Sequence, residues 1–176
     1  DSNFYAATTA EKRLAKKFES DPNFSSRHIG HEQRSSRLLK AVGERLRVPS
    51  VCTELADVVA REHGNIHRSG ALNAAALVRL LERCDALRKP ARFADVLLAC
   101  ECDARGRLGM EGDAYPQRAR LLAALAAAQA VPTAELADAA VAAGARGPAI
   151  GQRIHAARVQ AVAQALADAA PPQAGG

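Results

Sequence analysis

From Leu38 onward the apolar residues recur at helical spacing, and much of the apolar content is alanine, in runs such as Leu122 to Ala130 and Ala137 to Ala143. Alanine has the highest helix propensity and little surface to bury, so it suits closely packed helices. Runs of Val, Ile, Thr or aromatic residues that would make strands are few. The pattern predicts an all-α protein.

Individual helices can be read from their stripes. Leu38, Leu39, Val42 and Leu46 form one, ended by Val48-Pro49. A second helix carries Leu55, Val58 and Val59 and is expected to stop near Gly64. The cleanest pattern runs through Leu77, Leu80, Leu81, Cys84 and Leu87, with Pro90 expected to close it. A fourth helix from about Arg92 turns Phe93, Val96, Leu97 and Cys100 inward. After a loop from Asp103 to Pro116 with three glycines come a helix from Gln117 to about Ala130, a short one after Pro132-Thr133, and a last one starting near Pro148. No repeat of fixed period appears.

Composition divides the chain further. Residues 1–26 hold three of the four Phe and three of the five Lys, an atypical lead-in that is a domain edge, a disordered segment or foreign sequence. Residues 27–103 form a first, histidine-bearing helical region and residues 117–170 a second, Ala-rich one. The long loop between them is the natural boundary, and residues 171–176 are expected to be a disordered tail. No apolar stretch reaches the roughly 18 residues needed to span a bilayer, and no secretory signal is visible, so the expected location is cytoplasmic with no membrane partner. Cys52, Cys84, Cys100 and Cys102 have no zinc spacing and are expected to be reduced and mostly buried.

The net charge is +5, with 19 Arg against 5 Lys, which suits a polyanion binder because guanidinium forks onto phosphate. Between Asp138 and Asp168 no acid occurs, while Arg146, Arg153, His155 and Arg158 do. The segment from Gly144 to Arg153 looks like a helix start, with Gly147 allowing close approach and Pro148 in the first turn. Free N–H groups and the helix dipole there attract phosphate. A solvated cationic face is the alternative reading.

Four of the five histidines fall in two groups, His28 with His31 and His63 with His67. Imidazoles three or four residues apart can grip a divalent cation, with Glu32 and Glu62 the nearest carboxylates; the alternative is surface or capping histidines. Glu101 and Asp103 point to different sides of a helix, and Asp103 beside Arg105 and Arg107 is expected to shape the loop through ion pairs. No Walker-type loop, Gly-x-Ser-x-Gly or Asp-x-Asp is present.

The joint order of several segments resembles the bacterial CCA-adding tRNA nucleotidyltransferases. They are Arg27-His28-Ile29-Gly30-His31-Glu32, Glu44 to Pro49, Val59 to His67, Asp85 to Pro90, Cys102 to Gly109, Tyr115-Pro116-Gln117, Val131-Pro132-Thr133 and the Gly144, Gly147, Ile150 pattern. The match covers roughly residues 27 to 170. It implies an HD-like helical bundle over residues 27–103, and tRNA-contacting body and tail helices over 117–170. It further implies tRNA as partner, with Arg105, Arg107, Arg146, Gly147, Arg153 and Arg158 as contacts. The family adds nucleotides through paired aspartates of a separate domain, so a chain without Asp-x-Asp is not expected to add CCA alone.

The family's HD domain supports metal-dependent phosphohydrolysis, including of 2′,3′-cyclic phosphodiesters, on a His-Asp doublet upstream of Arg27. Here Ser2-Asn3 stands in that place, and a second doublet reads His63-Gly64. His31 and His63, with His28 behind them, remain as ligands for a divalent metal of the Mg or Ni/Mn type, held weakly or lost. Two functions therefore compete: a tRNA-binding region without catalysis, or a free-standing HD phosphohydrolase. An apolar face left open by a missing domain would favour self-association.

Overall fold

The computed structural model describes residues 31–169, with side chains from Arg34 onward. The lead-in 1–26, His28, the His31 side chain and the tail 171–176 lie outside the described residues. Seven helices follow in order: α1 (His31–Leu46), α2 (Ser50–His67), α3 (Ala74–Arg83), α4 (Pro90–Arg105), α5 (Pro116–Gln129), α6 (Thr133–Ala142) and α7 (Pro148–Asp168). A 3-10 turn, Ser69–Ala71, joins α2 to α3. No strand occurs among the described residues, and the fold is all-α.

Proline opens α4, α5 and α7, because the first helical position needs no N–H donor and the ring already holds a helical φ. Pro90 therefore starts α4 rather than closing the helix before it. That preceding helix, α3, begins where Asn73 Oδ1 accepts from the Ala76 N–H at 2.9 Å, and it stops at Arg83. Asp85 takes a left-handed φ of 53°, which lets its N–H reach the Glu82 carbonyl and the Ala86 N–H reach the Leu81 carbonyl. Two carbonyls at the helix end are thus satisfied, and aspartate tolerates the strain better than most residues. The stripe expected to continue through Leu87 is cut short, and Ala86 takes the fully buried place instead.

Helix α2 runs through Gly64 to His67, beyond its expected end. Val58, Glu62 and Ile66, four residues apart, are all buried on one face. That burial outweighs the ~1 kcal/mol by which glycine disfavours a helix interior.

The core is built by Leu77, Leu80 and Leu81 of α3, Phe93, Val96 and Leu97 of α4, Leu121 and Leu125 of α5, and Val162 of α7, each at most 4% exposed. Ala124 and Ala128 are also buried, and α5 packs more extensively on α7 than on any other element. The alanines act here as small surfaces that let two backbones come close. One core draws on helices from both sides of the loop at which the sequence suggests a boundary.

Helix α1 stands apart from this core. It meets α2 through a Ser36 Oγ–Asp57 hydrogen bond of 2.6 Å and at Gly43, where an added Cβ would lie 2.9 Å from Thr53 Cγ2. Most of its stripe faces water, with Leu38 66% and Leu46 62% exposed, while Leu39 is half-buried. All four cysteines are free thiols. Cys84 and Cys100 are buried, and burial pushes both thiols up to about 12. Cys52 and Cys102 are exposed, so only half of the cysteines follow the expectation of burial.

Candidate functional site

The end of α2 carries the second histidine pair. His63 and His67 lie one turn apart, with ring centroids 6.0 Å from each other, edge to face. Their Nδ1 atoms take different partners. His63 Nδ1 donates to the Val59 carbonyl at 3.0 Å, which anchors the ring to its own helix. His67 bridges two other elements: Nε2 lies 3.1 Å from Asp103 Oδ2 on α4, and Nδ1 lies 2.9 Å from the hydroxyl of Tyr115 ahead of α5. A carboxylate only accepts, so in the neutral ring Nε2 carries the proton and Nδ1 accepts from the tyrosine. Gln117 Nε2 donates to the His67 carbonyl at 3.1 Å, closing the junction. Burial raises the Tyr115 phenol well above its ordinary value of 10, so it stays a donor.

Glu62, expected as the nearest carboxylate for a metal, turns away from the histidines. Arg83 on α3 grips it twice, Nε to Oε1 at 2.9 Å and Nη2 to Oε2 at 3.1 Å, and Asn65 donates at 2.8 Å. Burial alone would raise this carboxyl, but these hydrogen bonds override it and hold Glu62 below the usual 4.5. Among the described residues no three His, Cys, Asp or Glu side chains gather in a way that would hold a metal ion.

The loop arginines are held in place. Arg105 meets Glu101 at 3.1 Å and donates to the Asp113 carbonyl, while Arg107 lies 3.6 Å from Asp103. Glu101 also takes Arg118 at 3.0 Å, so Glu101 and Asp103 do face different partners.

The start of α7 is different. Gly147 adopts a φ of 51° and a ψ of −123°, a conformation that side chains disfavour, and no side chain caps the helix behind it. Nothing lies within 4 Å of where a Cβ on Gly144, Gly147 or Gly151 would stand. Arg146 and Arg153 are exposed on either side of this turn, and neither has a partner among the described residues. Arg158, one and a half turns on, is half-buried with its Nε unpartnered. His155 is not part of the free charge: its Nδ1 sits 2.8 Å from Glu82 Oε1 on α3.

The histidine junction joins residues 36 to 50 positions apart in sequence, and no local signal marks it. The free cations of α7 were visible as a stretch without acids.

This geometry can be set beside known proteins. The chain is 71% identical over 146 residues to a multifunctional CCA protein of Acidovorax sp. (strain JS42), 69% over 146 residues to one of Polaromonas naphthalenivorans, and 70% over 149 residues to one of Paracidovorax citrulli. The chain is homologous to the C-terminal part of the multifunctional CCA proteins. These matches cover 83%, 83% and 85% of the chain but only 34%, 34% and 35% of the relatives, so the chain spans about a third of their length. No family model matches it, and no solved structure matches it either. No helix among the described residues is long and apolar enough to cross a membrane.

Against this CCA-protein background, the sites expected from sequence fall into three groups. Arg146 and Gly147 precede α7, Arg153 lies in its second turn and Arg158 at its middle. Arg105 ends α4 and Arg107 lies in the loop after it, each held by a carboxylate. His63 lies in the α2 junction, while His28 and the side chain of His31 lie outside the described residues.

Proposed function

We propose that this chain is the tRNA-contacting helical region of a CCA-adding tRNA nucleotidyltransferase, acting in the maturation and repair of tRNA 3′ ends. It holds the RNA, and nucleotide addition belongs to the part of the relatives outside the match. The observation that carries this reading is the cationic start of α7. The Ala149 and Ile150 N–H groups there donate to the Arg146 and Gly147 carbonyls, and Arg146 and Arg153 present two exposed guanidinium groups with no partner among the described residues. A helix N-terminus and unpaired arginines together favour a phosphodiester backbone, which is gripped by charge and shape rather than by base sequence. High identity to proteins named for CCA activity supplies the RNA class. Such contact suits a protein of the cytoplasm that needs no membrane.

The test is tRNA binding by the full chain at two salt concentrations, with the Arg146/Arg153/Arg158→Ala triple variant alongside. Binding should weaken with salt, and the variant's slope of log affinity against log salt should be shallower by about 2–3. Absence of binding at low salt would overturn the reading. A free-standing HD phosphohydrolase is the second reading, favoured by one observation: His63 and Asp103 line the same groove of about 520 Å³ between α1, α2 and α4. Hydrolysis of a 2′,3′-cyclic nucleotide by one water to the 2′- or 3′-monophosphate upon adding Mg²⁺, Mn²⁺ or Ni²⁺ would support it.

A further inference from the structure

Helix α3 carries one cation that neither the core nor the ion pairs of the fold use. Arg79 is exposed and has no partner among the described residues. One turn on, Glu82 meets His155 of α7, with Oε1 2.8 Å from the imidazole Nδ1. Residues three apart share a helix face, so Arg79 flanks this contact on α3 and Arg158 flanks it on α7. The direction of the two helices decides whether those flanks meet. Helix α5 begins with Gln117 at the His67 carbonyl and ends with Gln129 at the Leu87 carbonyl, so it runs parallel to α3. From the Glu82 contact, a third parallel helix would carry Val162 and Leu166 past the ends of both. Yet Val162 is fully buried and Leu166 packs on the core. Helix α7 therefore runs antiparallel to α3, which places Arg158 alongside Arg79.

We infer that Arg79 and Arg158 form one phosphate-binding seat across the α3–α7 seam, with the Glu82–His155 pair holding the two helices in register. Carboxylates that could satisfy these arginines are spent or elsewhere. Glu82 is the one acid of α3 and is engaged by His155, while α7 has none before Asp168, which takes Gln164. Glu135 and Asp138 of α6 pair with no arginine among the described residues. The Nε of Arg158 is buried without a partner among those residues, and a buried donor is costly until an acceptor reaches it. Two guanidinium groups on neighbouring helices suit the non-bridging oxygens of a tRNA backbone phosphate. The seat rests on α7 contacting RNA, and it carries that grip onto the core helix α3.

Salt-dependent tRNA binding by the full chain tests it, with Arg79→Ala, Arg79→Lys and Arg61→Ala beside the wild type. Loss of one phosphate contact in Arg79→Ala should make the slope of log affinity against log salt shallower by about 0.7–0.9. Arg79→Lys keeps the charge and should keep the slope. Arg61 lies on α2 and pairs with Asp57 at 2.9 Å, so Arg61→Ala removes the same charge away from the seam and should keep it too. The melting temperature of Arg79→Ala should stay within about 2 °C of the wild type, because the side chain is exposed. An unchanged slope in Arg79→Ala, with a shallower one in the Arg146/Arg153/Arg158→Ala variant, would overturn the seat and leave RNA contact by α7 standing. Equal flattening by Arg79→Ala and Arg61→Ala would also overturn it, since net charge alone would then set the slope. No binding by the wild type at low salt would overturn both.

Discussion

Two basic regions of this chain use the same residue type in opposite ways. Around the ends of α2 and α4, cations are matched with anions: Arg83 with Glu62, Lys89 and Arg92 with Glu54, Arg105 and Arg118 with Glu101. These pairs tie α2 to α3 and α4, and α4 to α5. At the start of α7, Arg146 and Arg153 have no such partner among the described residues. Charge that is consumed inside a fold holds helices together, and charge left over is available to a ligand. The net charge of +5 hides this division, because both regions contribute arginines to the same sum.

The sharpest way to break the comparison is to remove one internal cation. Arg83→Met should destabilise the chain by about 2–3 kcal/mol in urea unfolding, since Glu62 is left buried without its cation. A loss below 0.5 kcal/mol would mean that the pair is no more structural than the α7 arginines. Acid should act through the same pair. Glu62 titrates lower in the folded chain than its ordinary 4.5, so its contribution is present above that value and fades as pH falls below it. The urea midpoint should therefore drop on acidification below pH 4.5, and the drop should be smaller in Arg83→Met. The smallest effect belongs to the other region. Arg146→Ala with Arg153→Ala should change stability by less than about 0.5 kcal/mol, because neither side chain holds anything in place. A larger loss would show that α7 also spends these charges on the fold.

Part of this was legible in the sequence. Alanine runs, helical stripes and prolines gave the helical class and the starts of α5, α6 and α7 to within a residue or two, because propensity and capping act locally. The acid-free stretch around Arg146 and Arg153 could be read for the same reason: no nearby carboxylate means no local partner. Homology to CCA proteins was likewise legible in the order of short segments.

What the sequence could not show depends on residues that are distant in the chain. The end of α3 came from a left-handed Asp85, where the pattern of leucines pointed onward through Leu87. The continuation of α2 through Gly64 came from the burial of Ile66 against other helices. His67 looked like half of a metal pair and is instead clasped by Asp103 and Tyr115, 36 and 48 residues away. The leucines of α1 and α3 both recur at helical spacing, yet the first stripe is mostly exposed and the second wholly buried. A local pattern states which face of a helix is apolar; only packing decides whether anything covers it, because burial is a property of neighbours and not of the segment itself.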